Sequence, residues 1–116
     1  MEIKEHDIQK QIVEYLHING WTTICTDMMI ALKFIGNNQQ NRMRFINYAK
    51  KQGYTKGQPD IIAVKSSETL FLEVKQPKCY PTQQQKEIGA LLPNYHIVRN
   101  LEDIECIIKD SPEGEP

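Results

Sequence analysis

Residues Gly57–Lys75 read GQPDIIAVKSSETLFLEVK and have the pattern of a β-hairpin. The segments Asp60–Val64 and Thr69–Lys75 are rich in β-branched, aliphatic and aromatic residues, which is typical of strands. The polar residues between them, Lys65–Glu68, predict a turn that joins the two strands. We therefore expect an antiparallel pair of strands here.

The predicted hairpin brings two carboxylates together. If the strands pair symmetrically about the turn, with Val64 opposite Thr69, then Asp60 lies opposite Glu73. Opposite residues of an antiparallel pair point to the same face, with Cβ atoms about 5 Å apart. Lys75 lies two residues after Glu73 and shares that face. The pattern thus predicts two acids and a lysine side by side.

Two facing carboxylates repel each other, and a cation between them relieves that repulsion. Hard cations such as Mg²⁺ take carboxylate oxygens and leave other positions to water and phosphate. A lysine beside them can stabilise charge that develops on a phosphate, or orient the attacking water. The simpler interpretation is a surface hairpin with Glu73 and Lys75 exposed. The preceding Pro59-Asp60 and the apolar neighbours favour central strands instead: Ile61, Ile62, Phe71 and Leu72.

The rest of the chain predicts helices and short strands around this hairpin. The predicted elements are a helix at Lys4–Ile18, a strand at Trp21–Thr26, a helix at Asn41–Gln52, a helix from Thr82 to about Leu92, a strand at Tyr95–Arg99 and a helix at Leu101–Lys109. Asp27–Gln39 fits either a short strand or a turn of helix, followed by a loop, and we leave both open. The order predicts one α/β domain over residues 1–110, a mixed central sheet flanked by helices, with residues 111–116 as a disordered acidic tail.

The first predicted helix carries a carboxylate on its apolar side. At about 100° per residue, Glu5 lies near the middle of the stripe formed by Ile8, Ile12 and Leu16. Burying an unpaired carboxylate is costly, so Glu5 needs a partner such as a metal ion or a lysine. The alternative is that Glu5 lies in the first turn, where the helix dipole favours negative charge.

The composition is that of a globular protein. The chain has 116 residues, a net charge of −1 and three widely spaced cysteines, Cys25, Cys79 and Cys106. The absence of a Cys-x-x-Cys pair argues against a structural zinc site, and we expect reduced thiols in or near the core. No apolar run reaches the roughly 20 residues of a membrane-spanning helix, and the N-terminus lacks an apolar signal region. We expect a cytoplasmic protein that does not contact membranes.

The charge distribution is uneven. Residues 28–59 contain no Asp or Glu but hold six basic residues, and a near-neutral protein with such a segment can bind a polyanion on one face. The alternative is a solvated surface patch. Five of the six are candidates for phosphate contacts, which position a strand without reading its sequence: Arg42, Arg44, Lys50, Lys51 and Lys56.

Together these motifs resemble the PD-(D/E)XK nuclease superfamily, and in finer detail its VRR-NUC family. The Gly-x-Pro-Asp motif of that family matches Gly57–Asp60, and its Glu-x-Lys motif matches Glu73–Lys75. Its Glu-x-x-x-Gln motif on the first helix matches Glu5–Gln9. The glutamine that opens the next helix is supplied by the run Gln83–Gln85, in which Gln85 fits best because the apolar residues after it then take the family's positions.

The resemblance extends to the last strand, where His96–Arg99 continues it, and it covers residues 5 to about 108. It implies a restriction-endonuclease-like αβββαβ core and a DNA endonuclease that depends on Mg²⁺ or Mn²⁺. It also implies a role for each motif residue. The metal ligands would be Asp60, Glu73, the backbone carbonyl of Val74 and, directly or through water, Glu5, with Lys75 as the catalytic lysine and Gln85 as support for the site or the substrate phosphate.

Small members of this family are similar to minimal phage or bacterial nucleases, and some resemble Holliday-junction resolvases, which act as dimers on a symmetric junction. The resemblance therefore implies a homodimer, encoded by a phage or its bacterial host, that cuts branched DNA such as four-way junctions or flaps. Two alternatives remain open: a non-catalytic DNA-binding module that keeps the nuclease fold, and a protein-interaction subunit of a larger complex.

Overall fold

The computed structural model describes residues 3–109 of the chain. The predicted tail at residues 111–116 lies outside this part. In chain order the elements are α1 (Glu5–Ile18), β1 (Thr22–Cys25), α2 (Met28–Ile35), α3 (Gln39–Lys51), β2 (Ile61–Lys65), β3 (Glu68–Val74), α4 (Gln83–Leu91), β4 (Tyr95–Val98) and α5 (Leu101–Lys109). None of the helices in residues 3–109 has the length and apolar character needed to cross a membrane.

The predicted hairpin is confirmed, with the predicted register. β2 and β3 are antiparallel, and Val64 lies opposite Thr69. The turn is shorter than predicted, because Lys65 and Glu68 already pair across it. Ser66 takes a positive φ of 54°, which a two-residue hairpin turn requires at its first position.

The four strands form one mixed sheet in the order β1-β2-β3-β4. β1 pairs antiparallel with β2, while β4 pairs parallel with β3 after the crossover through α4. The predicted mixed α/β architecture is therefore observed. Because β1 runs opposite to β2, the end of β1 lies beside the start of β2, and the Thr26 N–H donates to the Asp60 carbonyl at 2.9 Å.

The core lies on one face of the sheet, under α1 and α5. Every second residue of β3 points into it, so Leu70, Leu72 and Val74 are buried there. Ile8, Ile12 and Leu16, four residues apart on α1, pack against them. Glu73 alternates with Leu72 and Val74 and therefore points to the opposite face of the sheet.

The segment left open by the sequence forms two helices. Asp27 caps α2 by accepting a hydrogen bond from the Met29 N–H at 3.0 Å, and Asn38 caps α3 by accepting from the Asn41 N–H at 3.1 Å. α2 and α3 pack against each other. We refer to residues 28–51, which hold both helices, as the α2–α3 arm.

The cysteine prediction is wrong in part. All three cysteines are free thiols, but each of them is exposed rather than buried in the core. Cys25 ends β1, which is an edge strand of the sheet. Its Sγ accepts only a long hydrogen bond from the Gln9 amide, at 3.6 Å.

Candidate active site

Asp60 and Glu73 meet at one end of the sheet, where β2 begins and β3 ends. The hydrogen bonds between β2 and β3 continue to the residue before β2, because the Asp60 N–H donates to the Leu72 carbonyl at 3.0 Å. The Asp60 side chain turns back over β3 and its Oδ2 accepts a hydrogen bond from the Val74 N–H at 2.9 Å. Asp60 is 9% exposed and Glu73 is 1% exposed, so both carboxylates are withdrawn from solvent.

The two oxygens of Glu73 have different surroundings. Oε2 accepts a hydrogen bond from the Gln85 side-chain amide at 3.0 Å. Oε1 is buried and has no hydrogen-bond partner within residues 3–109. An unpartnered oxygen on a buried carboxylate is costly unless a further group satisfies it. A cation bound beside this atom would satisfy it.

Gln85 reaches Glu73 because a capping box holds it. At the start of α4, the Gln85 Oε1 accepts from the Thr82 N–H at 2.8 Å, and the Thr82 hydroxyl accepts from the Gln85 N–H at 3.2 Å. The side-chain amide of Gln85 is then free to donate to Glu73. Gln83 instead donates to Glu87 at 3.2 Å. Of the three adjacent glutamines, the structure thus places Gln85 in the site.

Gly57 explains how α4 comes so close to the loop before Asp60. It has a φ of +92°, and a Cβ built on it would lie 2.7 Å from the Gln84 carbonyl carbon and oxygen. Both the backbone conformation and the space require glycine at this position. The close approach brings the start of α4, and with it Gln85, up to the carboxylate pair.

Burial and mutual repulsion oppose the ionisation of the Asp60 and Glu73 carboxyl groups. Burial, the nearby charge of Asp60 and a side-chain hydrogen bond with Asp60 together raise the pKa of Glu73 to about 9, while the charge of Lys75 opposes the change. Burial also raises the pKa of Asp60 to about 6, although the Val74 N–H stabilises its ionised form. The metal-free pair therefore retains a proton near neutral pH. Such perturbed acids cluster at functional sites.

Two more acids and the predicted lysine surround the pair. Burial raises the pKa of Glu5, Lys75 lowers it, and Asp27 raises it. Glu5 also acts electrostatically on both Asp60 and Glu73. The structure therefore brings Glu5 and Lys75 into one neighbourhood with the pair, as the motif spacing predicts.

Asp27 was not among the predicted site residues. Its charge raises the pKa of Asp60, and it lines a cavity of about 150 Å³ that also contains Asp60, Gln58 and Gln85. The signal that could have found it is its position, two residues after the end of β1, the strand that pairs with β2. That position points to the site only once β1 is known to pair with β2, and the local sequence pattern does not show this pairing.

Tyr95 is a second residue that no sequence signal singles out. Its hydroxyl is buried and has no partner in the described part of the chain. Burial, together with the nearby charges of Glu73 and Asp60, raises the pKa of Tyr95 to about 12. Its ring lies against Gly89 of α4, where an added Cβ would come within 2.5 Å of it. The ring thus fills the space beneath the helix that carries Gln85.

The oxygen donors of the pair are of the kind that fits a hard cation. Asp60 and Glu73 provide two carboxylates, and the free Oε1 of Glu73 is the kind of atom that Mg²⁺ prefers. Among residues 3–109, no group of three or more His, Cys, Asp or Glu side chains is placed to hold a metal ion. Glu5 therefore lies near the pair without completing a three-ligand set.

The predicted phosphate contacts differ among themselves. Arg42 is half-buried, and its Nη1 donates to the carbonyls of Leu32 at 3.2 Å and Gly36 at 2.9 Å, which closes the end of α2. Its guanidinium thus has a structural role. The others are exposed, three of them on α3 and one in the loop before Asp60: Arg44, Lys50, Lys51 and Lys56.

No protein-family model, curated protein or solved structure matches this chain. The resemblance to VRR-NUC nucleases therefore rests on the motifs around Asp60 and Glu73, and it stays a prediction.

Proposed function

We propose that this chain is a metal-dependent DNA endonuclease that hydrolyses phosphodiester bonds. The observation that carries the proposal is the buried pair Asp60–Glu73, in which one oxygen of Glu73 has no partner within residues 3–109. A hairpin gains nothing in stability from two facing buried acids, because burial and mutual repulsion both oppose their ionisation. Their presence is accounted for if they bind a cation.

The residues that would hold Mg²⁺ or Mn²⁺ are Asp60, Glu73 and the carbonyl of Val74, with Glu5 reaching the ion through a water molecule. When bound, such an ion supplies Lewis acidity, which polarises the phosphate and lowers the pKa of water. The Val74 N–H donates to Oδ2 of Asp60 and leaves its Oδ1 as the atom to face the ion. Gln85 orients Glu73 in the same way through Oε2.

Lys75 is proposed as the catalytic lysine. It lies on the same face as the pair, and its charge lowers the pKa of both Glu5 and Glu73. An ammonium group there can hydrogen-bond a non-bridging oxygen of the phosphate and neutralise the charge that builds up in the transition state. Because the carboxylates are withdrawn from solvent, this interaction takes place in a medium where it is stronger than in water.

Branched DNA and a homodimer belong to the same proposal. A junction offers two symmetric strands, and a two-fold dimer would place one active site on each. Sedimentation of the protein with and without a four-way junction tests the dimer, which is expected at twice the mass of the 13.5 kDa chain.

A non-catalytic DNA-binding module is the second candidate. The observation that favours it is that no group of three or more potential ligands is placed to hold a metal ion within residues 3–109. A binding module, however, gives no reason for two buried acids with raised pKa values at this position.

A cleavage assay separates the two candidates. Wild type, Lys75→Ala and the control Lys109→Ala, which changes an exposed lysine on α5, are incubated with single-stranded, duplex, flap and junction DNA in Mg²⁺, Mn²⁺ or EDTA. We expect metal-dependent cutting that Lys75→Ala lowers by about 10²-fold or more and that Lys109→Ala preserves. Folded wild type that binds DNA but cuts none of the substrates would favour the binding module. Cutting by Lys75→Ala at the wild-type rate would remove Lys75 from the mechanism.

A further inference from the structure

The α2–α3 arm has a surface whose composition differs from the rest of the chain. From Met28 to Pro59 there is no Asp or Glu. On the same arm two aromatic side chains project into solvent, Phe34 at 88% and Tyr48 at 66% exposure. Large apolar groups exposed on two helices that pack against each other are typical of a surface that contacts another molecule.

Helix α3 shows how basic and aromatic side chains are combined. Its inner side, with Phe45 and Ile46, is half-buried, and none of its residues is fully buried. Its outer side carries Arg44, Tyr48 and Lys51, all exposed. At about 100° per residue these three positions fall within about 60° of one another around the helix. An aromatic ring therefore stands between two positive charges along one stripe.

This combination fits an unpaired nucleic acid strand. Cations that follow the phosphates and aromatic rings that stack on bases are the two features by which proteins bind single strands. In a duplex the bases are paired and stacked on each other, so the cations would contact phosphates but the exposed rings would have no base to stack on. The aromatic side chains are thus the feature that favours an unpaired strand over a duplex.

A second copy of the chain fits the same surface less well. A two-fold interface would place one arm against the other. Because the arm lacks acids between Met28 and Pro59, like charges would then face each other, and that arrangement costs binding energy. The charge complementarity is with a polyanion.

The arm also borders the candidate active site. Leu32 of α2 and Ile46 of α3 line the cavity of about 150 Å³ that contains Asp60. Ile46 lies on the inner side of α3, so the outer stripe of Arg44, Tyr48 and Lys51 faces away from this cavity.

We propose that the α2–α3 arm binds an unpaired strand of DNA, with bases stacked on Tyr48 and Phe34 and phosphates at Arg44 and Lys51. The substrates of the proposed nuclease would then be DNAs that contain a single-stranded segment. That second statement rests on the proposed function, whereas the binding itself does not.

Fluorescence anisotropy in EDTA tests the binding without any cutting. The probes are a labelled oligothymidylate, the RNA of equivalent sequence and a blunt duplex, and the variants are Tyr48→Ala, Phe34→Ala and Tyr48→Phe. Ile18→Ala, which removes an 84% exposed apolar side chain on α1, is the matched control. Each alanine variant on the arm should weaken binding to the DNA single strand by roughly 5- to 100-fold, the loss of one stacked base. Tyr48→Phe and the control should bind like wild type, and duplex binding should change little.

Three results would overturn the inference. The first is equal binding of the single strand by wild type and both alanine variants. The second is tighter binding of the RNA than of the DNA, which would make RNA the partner. The third is a wild-type dimer that Tyr48→Ala converts to a monomer in sedimentation, which would make a second copy the occupant of the arm. Wild type that binds single strands through the arm and cuts no DNA would overturn the nuclease and leave this inference standing.

Discussion

Replacing Glu73 with glutamine tests the buried carboxylate pair in the absence of DNA. In the metal-free protein, burial raises the pKa of Glu73 from 4.5 to about 9. Between these two values the folded protein holds a proton that the unfolded chain releases. The stabilising contribution of that proton is complete below about pH 4.5 and is lost as the pH rises towards the folded-state pKa. The free energy of unfolding in EDTA should therefore fall with rising pH.

The size of the effect follows from one proton. A single proton difference changes the free energy of unfolding by at most about 1.4 kcal/mol per pH unit, so stability should drop by up to about 2 to 3 kcal/mol between about pH 6 and pH 8. Asp60 titrates lower, since its pKa is raised to about 6, and adds to the slope mainly below this window. In Glu73→Gln the new amide oxygen can still accept the Gln85 hydrogen bond, but no proton is gained or lost. The slope above pH 6 should largely disappear.

Urea unfolding followed by tryptophan fluorescence is a suitable assay, because Trp21 is buried at 3% exposure and reports on the core. The series is run in EDTA for wild type, Glu73→Gln and the control Glu105→Gln, which changes an exposed acid on α5. Excess Mg²⁺ should restore wild-type stability at high pH, by about 2.7 kcal/mol at a hundred times the dissociation constant, and should not stabilise Glu73→Gln to that extent. If the free energy of unfolding of wild type does not change with pH, or if Glu73→Gln shows the same slope as wild type, then Glu73 does not hold a proton in the folded protein.

Three further predictions concern the surroundings of the pair. Gly57→Ala should destabilise the fold by at least about 1 to 2 kcal/mol in urea unfolding, because of its φ of +92° and the backbone 2.7 Å from an added Cβ; a loss within about 0.5 kcal/mol would contradict the close approach. Gln85→Ala should cost about 1 to 2 kcal/mol in the same assay and Gln83→Ala only about 0.2 to 0.5, so equal losses would contradict the capping box. Arg42→Ala should lower the melting temperature, whereas Arg44→Ala should leave it unchanged. Arg44→Ala should instead reduce the slope of log K against log salt concentration for single-strand binding by about 0.7, the loss of one phosphate contact. If Arg42→Ala changed the slope and Arg44→Ala the melting temperature, the roles assigned to the two arginines would be wrong.

The hairpin is the part of this protein that the sequence determined by itself. The apolar runs Ile61–Val64 and Leu70–Leu72 predict two strands, and the short turn between the strands specifies their register. Those two local properties are enough to set Asp60 opposite Glu73 and to place Lys75 on the same face. The helical stripe of α1 likewise predicts that Glu5 is partly withdrawn from solvent.

The supporting residues were decided by tertiary structure. Which glutamine reaches Glu73 depends on where α4 docks, and that depends on the close approach at Gly57. Arg42 has the same charge as Arg44, but only the packing of α3 on α2 brings its guanidinium to the end of α2. Asp27 caps α2 after β1, and Tyr95 begins β4; no local pattern reveals how these two strands pair.

The division has a physical reason. The periodicity of apolar residues and the residue preferences of turns involve neighbours in the chain, so both can be recognised from the sequence. Burial and Coulomb interactions act between residues that are neighbours in space, and the pKa values of Glu73 and Asp60 arise from both. The sequence by itself therefore determined which acids face each other. Only the fold, by removing water from them, decided that they hold a proton and that one oxygen of Glu73 has no partner within residues 3–109.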